Sequence, residues 1–254
     1  MQISLRRTNQ MKRLFDAIEK KNIFPDGLDK DAAEEMKRKF TAYMDGILEW
    51  NDKVNLTAIT DRDEFVVRHY IDSVMSAGSP EIRTAKQIAD VGTGGGFPGV
   101  PLAILFPDKE FVLIDSLAKR LKIIEDLCKS TGIGNVTVVH GRAEDLAGKK
   151  GPYRESFDCV VSRAVAAMAA LSELCIPFLR TGGTFIAYKG SDPEQELEEA
   201  AAAIEVTGGR LLRTERYADP DNALEHTLIY IMKEKKTPDK YPRKAGDPVR
   251  KPIK

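Results

Sequence analysis

Five glycines fall within the eight residues Gly92–Gly99, in the run Ile88-Ala-Asp-Val-Gly-Thr-Gly-Gly-Gly-Phe-Pro-Gly99. An apolar segment leads in, and Asp90 stands two residues before the first glycine. Such a cluster belongs to a turn at the end of a buried strand, where backbone approaches a ligand more closely than a side chain would allow. The turn points to a nucleotide-like cofactor.

The rhythm around the turn sets the fold class. Short β-rich runs recur at Ile88–Val91, Phe111–Ile114, Val136–Val139, Phe157–Val161 and Thr184–Tyr188. Helical patterns fill the gaps, as at Lys119–Lys129 and Ala164–Leu174. Alternation of this kind predicts a doubly wound, mostly parallel α/β sheet covered on both faces. Two further runs, Gly209–Arg216 and His226–Met232, lie too close together for a covering helix and predict an antiparallel pair at the sheet edge, seven strands in all.

Residues 1–75 read as helical. Met11, Leu14, Phe15 and Ile18 recur at helix spacing, as do Phe40, Tyr43, Met44, Ile47 and Leu48. Asp29 is a candidate helix cap, and Ser76–Pro80 reads as a connector. The expected divisions are a helical N-terminal region at 1–82, a sheet domain at 83–234 and a basic tail at 235–254. That tail is hidden in the total: the formal net charge is zero, yet Lys233–Lys254 holds nine Lys/Arg against three Asp/Glu. Its prolines and Tyr241 favour a docked segment over a disordered one. Cys128, Cys159 and Cys175 lie in apolar runs and read as reduced core thiols. The start has no apolar signal core and no run is long enough to span a bilayer, so a cytoplasmic protein without a membrane partner is expected.

Asp90 and the glycine run close the first strand, Asp115 the second, Gly141-Arg-Ala-Glu144 the third, and Ser162-Arg163 the fourth. In a doubly wound sheet these carboxyl ends face one crevice. Asp115 lies 21 residues beyond Gly94, where an acid accepts the two hydroxyls of an adenosine ribose. Ala143 and Glu144 are placed to hold an adenine edge through a backbone N–H and a carboxylate, and Asp90 to attract a cationic ligand. Gly94–Gly99 also fits the dinucleotide pattern G-x-G-x-x-G, but Pro98 would remove a donor from a pyrophosphate turn. An acid ahead of the turn repels pyrophosphate and suits the sulfonium and ammonium of S-adenosylmethionine.

Asp-x-Gly-x-Gly-x-Gly at Asp90–Gly96, with an acid closing strand two, resembles the class I methyltransferases, which are Rossmann-like. The resemblance narrows through Trp50-Asn51, Asn55-Leu-Thr57, Arg68-His69 with Asp72-Ser73, the loop ending Phe97-Pro-Gly99, Lys119-Arg120, Ser162-Arg-Ala164, Lys189-Gly190 and Lys240-Tyr-Pro-Arg-Lys-Ala-Gly246. These are similar to the bacterial ribosomal RNA small subunit methyltransferase G family, from about Phe40 to the C-terminus; the first forty residues match nothing named. The resemblance implies transfer of a methyl group from S-adenosylmethionine to N7 of a guanine in small-subunit ribosomal RNA, as free RNA or assembled subunit, with no obligate protein partner. It implies donor contacts at Gly92, Phe97, Ala143, Glu144 and Arg163, with Gly94 in the turn, Asp90 before it and Asp115 on the ribose. Lys189, Arg243 and Lys244 are the candidate RNA contacts. Guanine N7 attacks without losing a proton, so no general base and no metal is expected.

Simpler roles stand beside these. Asp115 is also a candidate cap before Leu117, Arg163 a partner for an internal carboxylate, and His69 a hydrogen-bond partner of Asp72 one helical turn on. Trp50 and Tyr43 read as packing anchors. Rival functions are a methyltransferase acting on a protein or small molecule, a nicotinamide oxidoreductase and a non-catalytic RNA-binding module.

Overall fold

The computed structural model describes residues 2–24, 28–219 and 224–254. Seven strands form one sheet in the order β3-β2-β1-β4-β5-β7-β6. They are β1 (Gln87–Val91), β2 (Glu110–Asp115), β3 (Val136–His140), β4 (Phe157–Arg163), β5 (Leu179–Lys189), β6 (Gly209–Asp219) and β7 (Leu224–Lys233). The first five are parallel, and β7 runs antiparallel between β5 and β6. The doubly wound α/β fold expected from the alternation is the one observed. Of the last pair only β6 is an edge strand; β7 is interior because it pairs on both sides.

The two boundaries that differ most from the sequence reading do so for local reasons. β5 begins at Leu179, ahead of the expected Thr184, because Gly182 and Gly183 sit in a bulged stretch of the strand and do not break it. The helix after β4 begins at Met168, later than the expected Ala164. Ala164 turns in the left-handed region at φ +58°, and the chain runs along the strand ends before it winds.

The N-terminal region is helical at Gln2–Lys20 and Lys30–Asn51, with Asp29 accepting from the Ala32 N–H at 2.8 Å as a cap. Met11, Leu14, Phe15, Ile18, Phe40, Tyr43, Met44 and Ile47 are all buried, as their spacing predicts. They share one apolar core with Ile88, Phe111, Leu113 and Val161 of the sheet. Burial of each large side chain stabilises the fold by about 1.5–3 kcal/mol. Three residues of the expected connector at Ser76–Pro80, Ser76, Ala77 and Ser79, are also buried. Ser76 and Ala77 are fully buried, and Ser76 Oγ lies 2.6 Å from the Tyr188 hydroxyl on β5. Its small residues permit close packing there. The three cysteines are buried and unpaired, and burial raises their thiols, Cys128 to about 12. Among the described residues no helix is long and apolar enough to cross a membrane.

Candidate cofactor-binding site

The chain winds outward from β1 to β3, then returns to continue from β4 on the other side of β1. The carboxyl ends of β1 and β4 therefore flank a crevice, the usual ligand position in an open α/β sheet. A cavity of about 720 Å³ opens there, lined by Gly92, Gly94, Phe97, Asp115, Ala143, Glu144 and Arg163 among others. The four sequence-distant strand ends do converge.

The glycine turn is held from both sides. Gly92 N and Thr93 N donate to Ile114 O at 2.8 and 3.1 Å, fixing the turn to the end of β2. Gly92 has φ +77°, and a Cβ there would stand 2.3 Å from the Val165 side chain. Tyr43 donates its hydroxyl to Gly95 O at 3.0 Å, so the helical N-terminal region braces the loop. Trp50 is partly buried at the edge of the same core.

Asp90, expected to face a cationic ligand, lies behind the turn and does not line the cavity. Its side chain is fully buried, and Oδ2 accepts from Thr93 Oγ1 at 2.7 Å and from Gly99 N at 2.8 Å. It staples the two ends of the loop. Oδ1 has no partner among the described residues, and burial pushes the carboxyl up to about 6 against those two hydrogen bonds. Strand alternation fixes only the face of the sheet that Asp90 takes; the helix launched by the turn, whose first residue Gly99 donates to it, then covers it.

The other two acids do face the cavity. Asp115 Oδ2 accepts from Gly94 N at 3.0 Å and Oδ1 from Leu117 N at 2.9 Å. The capping role and the cavity position are thus compatible, since each carboxylate oxygen keeps a second lone pair. Glu144 lines the cavity beside Ala143, but its Oε1 accepts from Gly246 N at 2.7 Å, a partner supplied by the tail.

At the opposite end Arg163 is both an ion-pair partner and a cavity residue. It donates to Asp72 Oδ2 at 2.6 Å, to Arg68 O at 3.0 Å and to His69 Nδ1 at 3.3 Å. His69 therefore carries its proton on Nε2 and donates to Thr57 Oγ1 at 2.6 Å. The expected His69–Asp72 hydrogen bond is absent. Val66–Ile71 winds as a π-helix, which offsets residues that an α-helix would stack. Asp72 faces the sheet, accepting from His226 Nδ1 at 2.6 Å and from the Tyr217 hydroxyl. Burial pushes Asp72 up, but the His226 hydrogen bond, the Arg163 charge and the Tyr217 hydroxyl outweigh it and hold it at about 2. Burial, reinforced by Arg163, lowers His69 to about 3. Its ring stacks on Phe97 with centroids 4.4 Å apart and planes 4° from parallel. Tyr217 and His226 were missed in the sequence; only their facing positions on β6 and β7 would have paired them.

Two of the three candidate RNA contacts are already neutralised. Lys189 Nζ lies 2.6 Å from Glu196 Oε1 and donates to Ala166 O at 3.2 Å. Arg243 forks onto the fully buried Glu173 at 2.6–3.0 Å, as part of a docked tail that Arg154 also grips through Thr237 O and Tyr241 O. Lys244 alone of the three is exposed with no counter-charge among the described residues. Arg120, Arg142 and Arg250, which the sequence reading did not single out as a group, line the cavity. Among the described residues no cluster of three or more His, Cys, Asp or Glu is grouped to hold a metal ion.

Residues 36–224 match the family described as rRNA small subunit methyltransferase G. The chain belongs to this family. A relative from Clostridium novyi, named Ribosomal RNA small subunit methyltransferase G, is 42% identical over 96% of this chain and 99% of its own length. One of the same name from Staphylococcus carnosus is 44% identical over 87% of this chain and 92% of its own. The Clostridium novyi match omits only about ten residues, so most of the first forty, unmatched in the sequence reading, belong to the shared chain. Among solved structures, the O-methyltransferase from Bacillus cereus in complex with SAH has a TM-score of 0.52 at 17% identity, over 76% of this chain and 91% of that one. The O-methyltransferase TomG from Streptomyces achromogenes in complex with SAM has a TM-score of 0.50 at 15% identity, over 76% and 90%. These likenesses are of fold: the chain shares the Rossmann-like α/β sheet of those two methyltransferases. The chain is a methyltransferase.

Proposed function

We propose that the chain uses S-adenosylmethionine to methylate N7 of one guanine in small-subunit ribosomal RNA. The observation that carries the donor assignment is the pair of acids at the strand ends: Asp115 and Glu144 line one cavity with Gly92 and Gly94, at the switch point of the sheet. Asp115 is oriented by two backbone N–H groups and keeps lone pairs for two ribose hydroxyls. Ala143 offers an N–H and Glu144 a carboxylate to the adenine. Phe97 and Arg163 bound the methionine end. When bound, the donor supplies an electrophilic methyl on a cationic sulfur. Asp90, ionised above its raised value of about 6, adds a negative field behind the turn that favours that cation.

The acceptor chemistry fits the state of the side chains. Guanine N7 has an available lone pair, so catalysis consists of in-line placement and electrostatics. His69 is neutral, and its one basic nitrogen already accepts from Arg163. Asp72 is fully engaged. Neither is poised to take a proton, and none needs to be taken. The RNA base reaches the cavity by leaving its stack, which exposes the Hoogsteen edge. Lys244 and the mouth arginines Arg120 and Arg142 meet phosphates on the way. We read the substrate as small-subunit ribosomal RNA or the assembled 30S subunit and the enzyme as cytoplasmic, with residues 1–82 and 235–254 flanking a catalytic domain at 83–234.

Mapping N7-methylguanosine in ribosomal RNA from cells with and without this chain tests the reading. One guanine of the small subunit loses its methyl when the chain is absent and regains it with purified enzyme, donor and 30S subunits. An unchanged map, or label transferred only to protein, contradicts it.

A further inference from the structure

The tail beyond residue 233 lies outside the span matched to the family, yet it reaches the cavity. Arg243 anchors it on Glu173, and Gly246 turns the chain at φ +83° so that its N–H meets Glu144 Oε1. Val249 and Arg250 then stand in the cavity wall. Val249 is 56% exposed, the most exposed of four large hydrophobics at the surface among the described residues. Two of the other three gather at the same mouth: Val165 lines it, and Leu117 follows Ser116, which lines it. Isolated apolar side chains in water are ordinary, but three around the mouth of one cavity mark a surface that an apolar ring would cover.

We propose that residues 243–250 are part of the donor site, with Val249 packing on the purine of S-adenosylmethionine and Glu144 serving the tail and the donor at once. The proposal rests on the donor assignment above. Glu144 is the shared element: one oxygen is occupied by Gly246 N, and the carboxylate still lines the cavity. Donor binding and tail docking then strengthen each other by the same factor, as linkage requires. The Arg243–Glu173 pair keeps the tail near its docked position before the donor arrives, which lowers the ordering cost at binding.

The test is titration of the full-length protein with S-adenosylhomocysteine, together with amide hydrogen exchange. Arg243→Ala would strand a buried carboxylate and risk unfolding, so the decisive variant is Val249→Ser, at an exposed position. The expected result is a dissociation constant raised about three- to tenfold, from the loss of a few buried methyl contacts. The free variant unfolds at the wild-type temperature. In the wild type, amide exchange across residues 243–250 slows when S-adenosylhomocysteine is added. Equal affinity for V249S and wild type, with exchange of this segment unaffected by ligand, overturns the proposal and leaves the donor assignment standing. A wild-type protein that binds no S-adenosylhomocysteine overturns the donor assignment itself.

Discussion

The two ends of the cavity are built on different principles. At the end proposed for adenosine, Asp115 and Glu144 each use part of their hydrogen-bonding capacity on backbone N–H groups, and both line the cavity. At the other end, Thr57, His69, Arg163 and Asp72 satisfy one another in an unbroken chain. The first end is made for recognition, with acceptors waiting for donors. The second is made for shape: its charges are paired, its histidine is neutral, and its aromatic ring is clamped by a stacked neighbour. A methyl transfer that needs alignment and no proton removal calls for this division.

Breaking the paired end has the largest expected effect. Arg163→Ala leaves Asp72, 2% exposed, without its cation. The expected loss of stability is about 3–5 kcal/mol, read by denaturant unfolding. Arg163→Lys keeps the charge without the three-way fork and falls between wild type and R163A. At the recognition end, Asp115→Ala is expected to weaken S-adenosylhomocysteine binding about a hundredfold, since two hydrogen bonds to a charged acceptor contribute roughly 1.5–3 kcal/mol each before compensation. Its effect on stability is the smaller of the two, the reverse of R163A.

Acid separates the turn from the paired end by sign. Asp90 titrates at about 6 in the folded protein, above its ordinary 3.8. The native state therefore binds more protons in that window, and stability from this group falls as pH rises from about 4 to 6. Asp90→Asn keeps an oxygen for Thr93 and Gly99. It should gain on the wild type by about 3 kcal/mol between pH 4 and pH 7, while binding donor less tightly at pH 8. His69 titrates at about 3, below its ordinary 6.5, so its contribution is full above that value and is lost as pH falls towards 3. His69→Gln flattens that acid limb. Paired urea titrations across pH 4–7 read both slopes; parallel curves for variant and wild type would contradict the assignment of either group.

The smallest effects concern the surface lysines. Lys244→Ala should lower the slope of RNA binding against salt by about one, whereas Lys189→Ala should leave it unchanged because Glu196 already neutralises Lys189. Equal changes in both slopes would mean that the Lys189–Glu196 pair opens on RNA.

What was legible in the sequence followed from periodicity and from turn chemistry. The carboxyl ends of the strands, the glycine turn and most of the core faces of the N-terminal helices depend on neighbours in the chain and are legible there; the start of β5 and the partly buried Leu48 depart from that reading. What was missed depends on partners brought from afar. Glu173 meets Arg243 across seventy residues, and Asp72 meets His226 across more than one hundred and fifty. A charge pattern tells which face a lysine occupies and never which acid will reach it. Asp90 fell between the two classes: its place before the turn was plain, but whether it faced ligand or loop depended on the helix that the turn launches. The π-helical winding at Val66–Ile71 has no periodic signature that would have separated His69 from Asp72.

The most direct measurement is a crystal structure of the full chain grown with S-adenosylhomocysteine. The ligand is expected across the ends of β1 to β4, its ribose hydroxyls on Asp115 and its adenine between Ala143–Glu144 and the tail. A ligand bound elsewhere, or one in this cavity that touches neither Asp115 nor Glu144, would contradict the account.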